Sequence, residues 1–203
     1  MTVRRERRDA VEHRRLILQT AQSLFDEHGV QSVSMHQIAK TAGIGQATLY
    51  RRYAHKGDLC NELLTDYSNR LLEKISAFLQ ANARLAPADR LGGIIGLWIE
   101  ALEEKAEMIA TMEARVNCDP RGNFFHTEMY ITLRDQISGL LGEMLGKRTP
   151  GGTIDTTLTS HALICSMAPP GYFHLKQEMG YTVEQIKQGY IQMCHLAVQA
   201  AES

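Results

Sequence analysis

Apolar residues return at helical spacing along almost the whole of this chain. Ile17, Ala21, Leu24 and Phe25 fall on one face of a segment from Val11 to His28, and Gly29 can end it in the left-handed conformation. Ser34 can cap a second helix, "MHQIAKTA", with Met35, Ile38 and Ala39 facing inward, and Gly43 stops it. A third short helix runs from Gln46 to Tyr53, followed by the turn "AHKGD". Leu59, Leu63, Tyr67, Leu71, Ile75 and Phe78 then mark one stripe of a long helix over 58–81. Pro87 suits the first turn of the next helix, and helices follow at about 88–104 and 106–116. Past "NCDPRGN", the residues Phe125, Met129, Leu133, Ile137, Leu140 and Met144 predict another long amphipathic helix. "GKRTPGG" reads as a loop, and "APPGYFHLKQEMGY" separates two last helices over 153–168 and 182–200. No run alternates as a strand would, so the pattern predicts an all-α fold of about nine helices. It divides into a small three-helix head and a larger helical body.

One stretch of the head, "TAGIGQATLYRRY", allows two readings. Its G-I-G start looks like a dinucleotide-binding loop, but that fingerprint needs a preceding strand and a third glycine, where Thr48 stands. "MHQIAKTA" before it has helical spacing. A helix-turn-helix fits position by position: small Ala39 lets a second helix cross closely, Gly43 turns the chain, Ile44 fills the gap and Leu49 is buried. Gln46, Ala47, Thr48, Tyr50, Arg51 and Arg52 are left facing outward. Gln and Arg read adenine and guanine edges in the major groove, while Thr and Tyr donate to phosphates. A solvated basic helix is the plainer alternative.

The stretch "SMHQIAKTAGIGQATLYRRYAHKGDLCNELL", with "ILQTAQSLFDEHGVQSVSM" before it, resembles the DNA-binding head of the TetR family of one-component transcriptional regulators. The resemblance covers the first quarter to third of the chain. It implies a DNA-binding domain over 1–57 and a helical ligand-binding and dimerisation domain over 58–203. It also implies base reading by Gln46, Ala47, Arg51 and Arg52, and phosphate anchoring by Ser34, Thr48, Tyr50, Tyr53 and Lys56. Gly45 departs from the family's pattern, since many members carry a capping Ser or related residue there. The expected partners are an inverted-repeat DNA operator, a second copy of the chain and a small, largely apolar effector. The expected function is a repressor released by that effector; the alternative is an activator or architectural DNA-binding protein with no effector.

Charge supports an anionic partner for the head alone. Residues 1–60 hold ten Lys or Arg against six Asp or Glu, whereas the remainder holds twelve against seventeen. The tail "RRERR" is either an arm touching phosphates or the minor groove, or a solvated lead-in to the first helix. For the body, Trp98, Met108, Met112, Phe125, Met129 and Tyr130 are candidate walls of an effector pocket, with His126 and His161 (and Glu113 and Arg115) as polar candidates. Each also suits plain core. Ile186, Tyr190, Met193 and Ala197 form a stripe suited to a dimer interface or to burial within the monomer. "FFHTEMY" lacks the second His of a zinc-protease helix, and "GEMLGKRT" is one residue short of a phosphate-binding loop. A metal-sensing set drawn from Cys118, His126, His161 and Cys165 lacks recognisable spacing. No enzyme, cofactor or metal is therefore expected. Four dispersed cysteines and no apolar run of about 18 residues suggest a reduced, cytoplasmic protein.

Overall fold

The computed structural model describes residues 2–116, 123–145 and 155–202, with side chains over 11–111, 124–145 and 155–195. Ten α-helices order them, and no strand occurs among the described residues. In chain order they are α1 (Thr2–His28), α2 (Met35–Thr41), α3 (Gln46–Arg52), α4 (Lys56–Ala81), α5 (Pro87–Glu104), α6 (Ala106–Val116), α7 (Glu128–Leu145), α8 (Thr156–Ser166), α9 (Pro169–Phe173) and α10 (Val183–Glu202). A 3-10 turn covers Asn123–His126 and a π-helical turn covers His174–Glu178.

Two segments differ from expectation. The helix foreseen from Val11 begins at Thr2, so "RRERR" has helical backbone continuous with α1. The foreseen separator after Ala168 is largely helical. Pro169 opens α9, where its missing N–H is not needed, and the π turn follows directly until Gly180 (φ +73°) releases the chain. A glycine is required within α9 as well: a Cβ on Gly171 would lie 2.5 Å from the Ser166 carbonyl oxygen.

The chain divides into two compact units, Met1–Tyr67 with Lys105–Pro120, and Ser68–Glu104 with Arg121–Ser203. The first is larger than the 1–57 head because its core needs more chain. Ile17, Ala21, Ile38, Ala39 and Leu49 are buried in one cluster with Leu59, Cys60 and Leu63 of α4 and Met108 of α6. The second unit is built on α5, α7, α8 and α10. Ile94, Ile95 and Ile99 of α5 and Leu133 and Ile137 of α7 are fully buried there. Each such side chain contributes about 1.5–3 kcal/mol by leaving water. Gly93 permits the tight crossing of α5, since a Cβ there would stand 2.1 Å from the Phe78 ring.

Candidate nucleic-acid interface

The helix-turn-helix is fixed by backbone bonds before any surface residue matters. Ser34, with extended backbone, caps α2 by accepting the Gln37 N–H at 3.1 Å. Gly43 takes φ +66°, which only glycine adopts freely, and swings the Ile44 N–H onto the Ala39 carbonyl at 3.0 Å. Ile44 and Leu49 pack into the core cluster, Leu49 completely. Gly45 caps α3 with no side-chain bond.

Burying Leu49 decides which way α3 faces. Gln46, Ala47, Tyr50, Arg51 and Arg52 are exposed, and Thr48 is half-buried. The structure thus brings together the outward set expected to read bases, together with two residues expected to hold phosphate. Ser34 is exposed too, although its oxygen already accepts the capping bond.

Tyr53 and Lys56 sit differently. Tyr53 is buried, with the Glu62 carboxylate and Arg52 beside its hydroxyl. Burial first, then the Glu62 carboxylate, push its phenol up to about 12, with Arg52 pulling the other way. Lys56 turns its ammonium onto the loop between α1 and α2, donating to the carbonyls of Val30 at 2.6 Å, Val33 at 3.0 Å and Gln31 at 3.3 Å. Three donors thus meet three carbonyls that neither helix satisfies. The same loop is held from α6, where Glu107 accepts the Val30 N–H at 2.7 Å and Thr111 accepts from Gln31 at 3.0 Å. The start of α4 already carries an anion: Asp58 accepts the His55 N–H at 2.9 Å, half of a capping box. Periodicity did not reveal these inward roles, because a surface Lys and a loop-tying Lys look alike in sequence. It also left out His36, exposed on α2 and hydrogen-bonded to Gln46.

In the second unit, some effector candidates meet and others do not. Phe125, Tyr130 and His161 form an aromatic cluster with Phe124, the Phe125–Tyr130 ring centroids lying 5.2 Å apart. The Tyr130 hydroxyl is hydrogen-bonded to His161 Nδ1 at 2.7 Å, and Cys165 Sγ lies 3.5 Å from His161 Nε2. Phe125 is 47% exposed and His126 is exposed, while Met129 is buried. Trp98 is buried with its N–H on the Met167 carbonyl at 2.9 Å. Met108 is buried in the core cluster of the first unit. The side chains of Met112, Glu113 and Arg115, and all of Cys118, lie outside the described residues. No three His, Cys, Asp or Glu residues come close enough to hold a metal among the described residues. Nor is any helix among them long and apolar enough to cross a membrane.

Of the stripe on α10, Ile186 and Tyr190 are buried within their own unit, the Tyr190 hydroxyl donating to the Ser166 carbonyl at 2.8 Å. Met193 is 46% exposed, and Ala197 lies outside the described side chains. Met193 and Leu158, itself 64% exposed, border a groove of about 460 Å³ whose walls also include Leu141, Ala162, Leu163 and Cys194.

Residues 17–63 match the family described as bacterial regulatory proteins, tetR family. Over 54 residues the chain is 54% identical to helix-turn-helix transcriptional regulators of Staphylococcus aureus strains, covering 27% of this chain. The chain spans only 29% of the length of those relatives. A transcriptional regulator of Saccharomonospora viridis, solved with choline, superimposes with a TM-score of 0.66 over 91% of this chain and 96% of its own, at 20% identity. The TetR-family repressor FadR of Thermus thermophilus, solved with lauroyl-CoA, gives 0.65 over 89% and 92%, at 17% identity. These two share the fold, including the helical body that follows the head. The helix-turn-helix head, over residues 17–63, is thus that of the tetR family of bacterial regulatory proteins.

Proposed function

We propose that the protein is a transcriptional repressor that binds an inverted-repeat operator as a homodimer and is released by a small-molecule effector. The observation that carries this reading is the orientation of α3: one fully buried leucine beneath an exposed face of Gln46, Ala47, Tyr50, Arg51 and Arg52. Gln46, Ala47, Arg51 and Arg52 read base edges, while Ser34, Thr48 and Tyr50 donate to phosphates. One such helix covers too few base pairs for useful specificity, so two copies on a two-fold axis read paired half-sites. The exposed apolar rim of Leu158 and Met193 supports a second copy as partner. The choline and lauroyl-CoA of the two structural neighbours support an effector held in the helical body, with the Phe125–Tyr130–His161 cluster as its candidate wall. Release requires that the effector bind the non-matching spacing of the heads more tightly than the DNA-bound one.

The test is selection of bound duplexes from a random pool with the purified protein at near-physiological salt, followed by an effector screen on the enriched duplex. Enrichment of an inverted repeat, and its release by a compound that also raises the melting temperature, is the expected result. Binding without any enriched motif would instead make the protein architectural.

A further inference from the structure

His36 is the second residue of α2 and stands exposed beside the first residue of α3, Gln46, whose amide nitrogen donates to His36 Nδ1. This is a contact between the two helices of the motif on their solvent side, so it adds nothing to the core. Its consequence lies in what it leaves free on Gln46.

A glutamine amide has two N–H donors and one carbonyl oxygen, and its outward edge decides which base it suits. Adenine offers a donor at N6 and an acceptor at N7, which match an amide carbonyl oxygen with an N–H beside it. Guanine offers two acceptors, N7 and O6, and suits a donor pair. The Gln46 amide nitrogen can only donate, so Nδ1 is the acceptor in this contact, and the N–H that points away from Oε1 can supply it. The remaining edge then carries Oε1 and the adjacent N–H side by side. A donor in the place of Nδ1 would capture Oε1 instead and turn the NH₂ group outward.

We infer that His36 is a specificity-determining positioning residue, which holds the Gln46 amide in the orientation that reads adenine. The inference rests on the proposed reading of DNA by α3. His36 acts through Gln46 and needs no contact with a base. Without it the amide rotates freely, and either orientation faces the groove.

The experiment repeats the duplex selection with the wild-type chain and with Gln46→Ala, His36→Ala and His36→Asn, each checked for folding by thermal unfolding. Gln46→Ala should abolish base preference at one position of each half-site, which identifies the base that Gln46 reads. That base should be adenine in the wild-type selection. His36→Ala should leave the rest of the motif intact but lower the preference for adenine at that position roughly three- to tenfold, part of the discrimination of a bidentate pair. His36→Asn, whose carbonyl oxygen can replace Nδ1 as acceptor, should restore it. An unchanged adenine preference in His36→Ala, a wild-type preference for guanine at that position, or a loss spread evenly over all positions would each overturn the inference while leaving α3 as the reader. If the wild type enriches no motif, or Gln46→Ala changes no position, the reading of α3 itself fails and the inference falls with it.

Discussion

The α3 face of the first unit and the interior of the second use polar side chains in opposite ways. In the first, the exposed face of α3 carries Gln46, Tyr50, Arg51 and Arg52 in water, above a core cluster made of apolar residues. In the second, polar groups are taken inside to join helices. Tyr172 is fully buried and donates to Glu103 at 2.7 Å, Lys176 also bonds Glu103, and the Trp98 and Tyr190 side chains reach the Met167 and Ser166 carbonyls. A polar group at a surface can be reached by a partner from solution, whereas one that is buried is committed to holding the fold. Substitutions in the two places should therefore be read out by different experiments.

The largest effect should come from the buried network. Tyr172→Ala removes a fully buried ring and should cost about 3–5 kcal/mol. Tyr172→Phe keeps the ring and should cost about 1–3 kcal/mol, because Glu103 loses one of its donors. Denaturant unfolding of both variants measures this difference, and an unchanged stability of Tyr172→Phe would show that the hydroxyl contributes nothing.

Next comes the apolar groove. Leu158→Glu with Met193→Glu places charges on exposed rims and should leave the monomer folded. Separating the copies should lower operator affinity roughly a hundredfold or more, because the gain from linking two heads is lost. Sedimentation and operator titration together decide it; a dimer unaffected by both charges would place the interface elsewhere.

Lys56→Met and Arg51→Ala sharpen the contrast within the first unit. Removing Lys56 strips three loop carbonyls of their donor and should cost about 1–3 kcal/mol of stability without any DNA present. Arg51→Ala should leave unfolding unchanged and weaken binding by about 1–3 kcal/mol at particular bases only. If Lys56→Met instead altered only the salt dependence of binding, its ammonium would be a phosphate anchor after all.

The smallest effect is a pH dependence confined to the second unit. Burial alone would raise the Glu103 carboxyl, but the Lys176 and Tyr172 hydrogen bonds outweigh it and hold the group below its usual 4.5. A depressed folded-state pKa gives stability that is present above the ordinary carboxylate range and lost as pH falls through the folded value. Acid titration of stability should therefore steepen below about pH 4.5, and Lys176→Met should remove that part of the slope. The thiols of Cys60 and Cys194, each pushed up to about 11 by burial, stay neutral over the same range.

The head was legible in the sequence because its signals are local. A capping Ser34, a left-handed Gly43 and a buried Leu49 are separated by a few residues, and together they fix which side of α3 faces out. The helical periods of α4, α5 and α7 were legible for the same reason, since burial repeats every turn. The segment Ala168–Gly180 was not, because Pro and Gly signal a break locally while the close approach of Gly171 to Ser166 and the burial of Tyr172 favour helix there. What the sequence by itself determined was an all-α chain, a helix-turn-helix head and the outward set on α3. Only the tertiary structure decided that Lys56 and Tyr53 turn inward, that Met108 joins the first core, that Ile186 and Tyr190 are covered within their own unit, and that His36 meets Gln46. Each of these depends on which side chain from another helix lies opposite, and the spacing of residues along one helix carries no record of its neighbour.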